Sequence, residues 1–206
     1  MLYYMLNKPR GCVTARRDAV HRTVMDFFPT ELAERLHPVG RLDKDTCGLL
    51  ILTDDGDLDM RIMQPRKHVS KTYFFYAIGT VDNGKKQLLE KGIPMADFTT
   101  GRAEFSMIRK CRIRDLEQFM PAERREKYMK NPDGPAFAAA LTICQGRKHQ
   151  VKRMLEAIGC RIFYLRRESI GGLALDPSLN EGEYRQLTAD EVELLCCHDT
   201  ENEEAE

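Results

Sequence analysis

Pro38-Val39-Gly40-Arg41-Leu42-Asp43-Lys44-Asp45-Thr46-Cys47-Gly48-Leu49-Leu50-Ile51-Leu52-Thr53-Asp54-Asp55-Gly56 joins a polar loop bracketed by two glycines to a continuous apolar run, and an Asp-Asp-Gly turn closes it. Residues 49–52 are short and apolar enough for a buried strand. A loop anchored on such a strand has little freedom, which suits acidic and basic groups that must keep one geometry. Arg41 and Asp43 alternate about Leu42, so in an extended segment they share a face while Leu42 points the other way. The same residues also suit an Asx-type turn at Asp43 and Asp45, with Arg41 in a surface ion pair.

Asp43, Asp45, Gly48 and Asp54 fall near the spacing of a calcium loop, but the match fails in three places. Cys47 stands where Asp or Asn is needed, the last ligand would be Asp54 in place of Glu, and Pro38 with the apolar run argues against flanking helices. The seven cysteines include no C-x-x-C pair and no ligand spacing with His, so zinc is not expected. They fit a reducing compartment in which thiols act as small core residues.

The chain has 206 residues, 42% of them hydrophobic and 31% charged, the balance of one well-buried soluble domain or two small ones. No stretch approaches the roughly 20 apolar residues of a membrane span, and the start is too short and uncharged for a signal peptide. The expected compartment is the cytoplasm, with no membrane partner. The formal net charge is zero, but residues 199–206 hold five acids and no Lys or Arg. The body, residues 1–198, is therefore mildly basic, and the tail is expected to be disordered.

Along the chain, residues 2–6 read as a strand running into a turn at 8–11, and residues 13–22 as a basic surface loop. Thr23 is expected to cap a short helix over 24–28 that Pro29 ends, and Thr30 a second over 31–36. Leu58, Ile62 and Met63 recur at helical spacing up to Pro65. Strand composition marks 71–81, 102–110, 136–144 and 162–165, and helices are expected over 83–91, 151–157 and 189–196, the last opened by Thr188. Residues 111–135 form a charged insertion, helical over 123–129. Without regular βαβ alternation, this favours an α+β sheet.

Four ordered motifs carry a resemblance. Gly40-Arg41-Leu42-Asp43-Lys44-Asp45-Thr46-Cys47-Gly48-Leu49-Leu50 resembles the central motif of the RNA pseudouridine synthases. Leu6-Asn7-Lys8-Pro9-Arg10-Gly11 resembles their first motif, Ser70-Lys71-Thr72-Tyr73 their Lys-x-Tyr strand, and Gly146-Arg147-Lys148-His149-Gln150-Val151-Lys152-Arg153-Met154-Leu155 their final motif. The wording is most similar to the RsuA-like branch, which modifies small-subunit ribosomal RNA. Many relatives there begin with a small RNA-binding domain, whereas this chain starts almost directly at the first motif. The catalytic domain is expected to span residues 1–198.

The resemblance implies a long mixed, mainly antiparallel sheet in two halves with helices and an active-site cleft between them. It implies cleavage of the ribose–N1 bond of a uridine and rejoining through C5, a redox-neutral isomerisation that needs neither metal nor cofactor. The expected partner is ribosomal RNA, in the small subunit or its assembly intermediate, and the expected state is a monomer. Asp43 matches the catalytic aspartate, acting as nucleophile or base. Lys152 matches the cation that keeps it ionised, where many members have Arg, so adjacent Arg153 is a rival. Tyr73 matches the tyrosine that stacks on the uracil. Arg41 resembles the residue that fills the stack once the target base is flipped out. Lys71, Arg147, Lys148, His149, Gln150 and Arg153 are the expected RNA contacts, within a basic cluster that extends through Arg161, Arg166 and Arg167. The competing class is a catalytically silent RNA-binding or ribosome-assembly factor on the same fold.

Overall fold

The seven residues of the strand Cys47–Thr53 are all buried, as expected of a strand covered on both faces, whose sequence can be apolar throughout. The computed structural model describes residues 1–64 and 69–195. The helix stop expected at Pro65, the end of the last helix at Cys196 and the acidic tail lie outside the described residues. In chain order the strands are β1 (Tyr3–Lys8), β2 (His37–Val39), β3 (Cys47–Thr53), β4 (Lys71–Ile78), β5 (Ala103–Arg112), β6 (Pro135–Ile143), β7 (Arg161–Ile170), β8 (Leu173–Ala174) and β9 (Tyr184–Gln186). The α-helices are α1 (Thr30–Ala33), α2 (Gly56–Met63), α3 (Asn83–Lys91), α4 (Ala122–Tyr128), α5 (Gln150–Ala157) and α6 (Ala189–Leu194). The strands follow the order β5-β6-β4-β7-β3-β1-β9, with β2 beside β3 and β8 beside β7. The sheet is mixed, since β3 and β7 are parallel and β1 runs antiparallel to β3. The chain divides into two units, one of Met1–Lys71 with residues from Arg166 onward, the other of Thr72–Leu165.

In the first unit one edge of β3 takes β1, from Tyr3 opposite Thr53 to Lys8 opposite Gly48. Its other edge is shared, with β2 opposite residues 51–53 and β7 opposite Cys47 and Gly48. Met5, Leu49, Ile51, Leu58, Ile62, Ile170, Leu187 and Leu195 join in one buried cluster. Asp55 caps α2 by accepting from the Asp57 and Leu58 N–H groups, so the Asp-Asp-Gly turn is also a helix start. Thr23 caps as expected, in a capping box completed by Asp26, on a 3₁₀ helix over Val24–Phe27. Thr30 does not cap, because it lies inside α1 and Pro29 holds the cap position. Three short strands, β2, β8 and β9, went unpredicted, since two or three residues are too few to show a period.

In the second unit β5 and β6 pair from Ala103–Ile143 to Arg112–Pro135. The charged segment expected as an insertion therefore connects two directly paired strands. It folds as a 3₁₀ helix, Ile113–Phe119, followed by α4. Its buried Ile113, Leu116, Met120 and Tyr128 pack with Ala136 and Phe163.

In the first unit, Arg185 on β9 donates through Nε to Asp176 at 2.5 Å and through Nη1 and Nη2 to Glu191 at 2.8 and 2.7 Å. Asp176 titrates at about 2, held down first by the Ser178 hydroxyl, and Glu191 at about 2, held down first by Arg185. Carboxyls whose folded values are lowered contribute stability above their unfolded values and lose it as pH falls through the folded ones. Arg185→Met is expected to lower the urea midpoint at neutral pH. In paired denaturation curves, that deficit should shrink as pH falls from about 4.5 towards 2.

Candidate active site

The loop carrying Asp43 is tied down through its backbone by three residues from the start of the chain. Lys8, at the end of β1, is 0% exposed. Its ammonium donates to the carbonyls of Pro9, Asp43 and Thr46 at 3.0, 3.2 and 2.8 Å. Gly11 N–H donates to Lys44 O at 2.7 Å. Thr14 Oγ1 donates to Leu42 O at 2.8 Å and accepts from Leu42 N–H at 3.1 Å. Burial lowers the Lys8 pKa, while the Cys12 and Cys47 thiols and the Asp45 and Asp43 carboxylates push it the other way.

Gly48 closes this loop at φ +99°, where an added Cβ would lie 2.3 Å from the carbonyl oxygen of Arg167. The glycine lets β7 approach β3. Arg167 is 2% exposed and its Nε donates to Leu49 O at 2.8 Å. This corrects the expectation that Arg167 belongs to the RNA-binding cluster, since its side chain is a core tie between two parallel strands. Arg166 is half-buried with Nε 3.4 Å from Glu168. As expected from alternation, Leu42 is buried whereas Arg41 is exposed and Asp43 half-buried.

Lys71, expected to contact RNA, is buried, and its ammonium donates to Val69 O at 2.8 Å. In the second unit Tyr73 is 9% exposed, on the face of β4 that also buries Phe75 and Ala77. Gln150 is likewise buried instead of displayed to RNA. Its Oε1 accepts from Arg147 N–H at 3.0 Å and its Nε2 donates to Gln145 Oε1 at 3.2 Å, so it shapes the turn that leads into α5. On that turn Arg147, Lys148 and His149 are exposed. His149 has φ +55°, alone among the described non-glycine residues in being positive. On α5 itself Lys152 and Arg153 are half-buried. Both Nη atoms of Arg153 donate to the carboxylate of Asp97. Asp43 and Arg41 thus belong to the first unit, and Tyr73, Lys152 and the final-motif cations to the second.

The buried ammonium under the Asp43 loop, the glycine that admits β7 and the Arg147–His149 turn all fall within motifs named above. The sequence profile described as RNA pseudouridylate synthase matches residues 2–157. This chain belongs to that family. The ribosomal small subunit pseudouridine synthase A of Haemophilus influenzae is 38% identical over 193 residues, covering 94% of this chain and 73% of that protein. An uncharacterized RNA pseudouridine synthase of Bacillus subtilis is 39% identical over 195 residues, with 94% and 73% covered. A crystal structure of a pseudouridylate synthase matches with a TM-score of 0.78 at 38% identity, over 94% of this chain and 73% of that one. As an RNA pseudouridine synthase the protein is an isomerase with RNA as its partner. Among the described residues no group of three or more His, Cys, Asp or Glu could hold a metal ion, and no helix is long and apolar enough to cross a membrane.

Lys8 lies in the first motif, and the sequence alone gives it no task. The signal was a lysine at the end of an apolar strand, where no water can solvate it. Lys8→Met should take one donor from each of three carbonyls, of which Asp43 O keeps the Thr46 N–H at 3.1 Å and Pro9 O the Cys12 thiol at 3.5 Å, and should cost about 2–4 kcal/mol of stability. Urea denaturation measures this, and a midpoint equal to wild type would remove Lys8 as the anchor of the loop.

Proposed function

We propose that this synthase acts as a cytoplasmic monomer on a uridine of ribosomal RNA, in the small subunit or an assembly intermediate of it, with Asp43 as the reacting carboxylate. The observation that carries the mechanism is the Asp43 loop, tied through its own carbonyls to a buried ammonium and continuous with a wholly buried strand. That support gives a carboxylate the fixed geometry that covalent or acid–base catalysis at a ribose demands. The ribosomal substrate is supported by the Haemophilus influenzae relative, a ribosomal small subunit pseudouridine synthase.

In the proposed reaction the bond from C1′ to N1 breaks while Asp43 acts at the sugar, as nucleophile or as base. The detached uracil turns, C1′ bonds to C5, and the C5 proton is lost as N1 regains one. The reaction is balanced without oxidant, reductant or water. Tyr73 is assigned to stack on the uracil and Arg41 to replace the flipped nucleotide. Lys152 is assigned to keep Asp43 ionised, because a carboxylate in a pocket that excludes water otherwise takes up a proton. The commitment of Arg153 to Asp97 supports Lys152 over its neighbour. Exposed Arg147, Lys148 and His149 are assigned to RNA phosphates.

Asp43→Asn should abolish isomerisation and leave RNA affinity within a few-fold, as expected of an interaction that develops mainly in the transition state. Carbodiimide-dependent reverse-transcription stops, mapped in cells with wild type, the variant or no gene, read the outcome. Persistence of the site's modification in Asp43→Asn cells would sink the assignment, and an unchanged map without the gene would favour a silent RNA-binding factor. Lys152→Met should lower turnover more than Arg153→Met at matched stability and should raise the apparent pKa of the acidic limb of the rate profile. Equal losses that do not change with pH would separate Lys152 from Asp43.

A further inference from the structure

Asp97 and Phe98 occupy the connection from α3 to β5, entirely within the second unit. Its base is closed by Ile93 N–H donating to Thr100 Oγ1 at 2.8 Å, Thr100 N–H to Ile93 O at 3.0 Å and Met95 N–H to Phe98 O at 2.8 Å. Gly101 N–H donates to Gln145 Oε1 at 2.9 Å, the same oxygen that accepts from Gln150. One amide network thus fixes both this connection and the Arg147–His149 turn.

The guanidinium carbon of Arg153 lies 5.0 Å from the Phe98 ring centroid, and that of Arg147 lies 5.5 Å from it. Two like charges converge on one aromatic ring, and the exposed carboxylate of Asp97 pairs with Arg153 there, with Arg147 acting on it only at longer range. An ion pair with one partner so exposed contributes little to a fold. Its arrangement is nonetheless specific, because the carboxylate meets the guanidinium through two nitrogens beside an aromatic ring. Arginines find the same features in a nucleotide, anionic oxygens for the fork and a flat π-system for the guanidinium plane.

We propose that Arg147, Phe98 and Arg153 form a subsite for an RNA phosphate, and that Asp97 is its resident counter-ion, displaced from Arg153 when the phosphate binds. The inference rests on the protein's RNA substrate. The exchange makes each phosphate compete with an intramolecular carboxylate. A strand that presents a phosphate to both arginines displaces Asp97, and one that reaches a single arginine does not.

The test measures affinity of the full-length protein for a fluorescein-labelled uridine-containing hairpin RNA across a salt series. Wild type, Asp97→Asn, Arg153→Met, the double variant and Phe98→Leu are compared. Asp97→Asn is expected to tighten binding about 3–10-fold at low salt, because the phosphate then meets Arg153 without displacing a carboxylate. The gain should vanish in the double variant. Phe98→Leu keeps an apolar side chain but loses the π-face, and should weaken binding several-fold with melting temperature little changed. Weaker or unchanged binding by Asp97→Asn would overturn the subsite, since Asp97 would then only hold Arg153 in place. A gain that survives Arg153→Met would overturn it too, as a general effect of net charge. Failure of every protein, wild type included, to bind RNA at low salt would overturn the RNA reading itself, an outcome distinct from the other two.

Discussion

An ammonium group with no access to water has to find oxygen inside the protein, and Lys8 finds it in the carbonyls of Pro9, Asp43 and Thr46. Removing such a charge from water costs several kcal/mol, which only well-placed acceptors offset. The end of β1 and the Asp43 loop therefore hold each other in place. Displacing either would strand a buried charge. The Thr14 hydroxyl, bonded to both polar groups of the Leu42 backbone, and the Gly11 N–H complete the support. These ties all end on main-chain atoms of the loop, a form of support that does not depend on which side chains the loop presents.

The same economy appears at the other end of the loop. Gly48 lacks a side chain where β7 passes, and the first residues of β3 pair in parallel with Arg166 and Arg167. Arg167 then fixes the approach by donating to Leu49 O. Four arginines that a linear reading places in one basic cluster thus meet different fates. Arg167 is a core tie, Arg166 lies near Glu168, Arg153 is held by Asp97, and Arg147 projects over Phe98. A run of charge measures composition, whereas burial and partners decide which charges remain available to a polyanion.

The strand over residues 49–52, the helix from Asn83 to Lys91 and the caps at Thr23 and Thr188 were legible because each depends on neighbours in the chain. They follow from an apolar run, a 3.6-residue period, or a hydroxyl three residues before an acid. The β-strand predicted over 162–165 proved to be Arg161–Ile170, since its second half reads as charged and is nevertheless built into the sheet. Strands β2 and β9 were illegible, being three residues each and existing only through the strands beside them. Lys71 and Gln150 were expected to contact RNA because of their places in the motifs, yet both are buried with hydrogen-bonded heads.

By itself the sequence determined the family and the α+β class, and singled out Asp43, Tyr73 and Lys152 for the roles proposed above, because four motifs in order depend on residue identity and spacing alone. The tertiary structure decided what Lys8, Gly48, Arg167 and Asp97 do. Each acts on a group far away in the chain: Lys8 on the carbonyls of Asp43 and Thr46, Gly48 on the backbone of Arg167, Arg167 on Leu49, and Asp97 on Arg153. Burial and partnership between such distant groups arise only when strands pair and loops dock, so no local pattern records them.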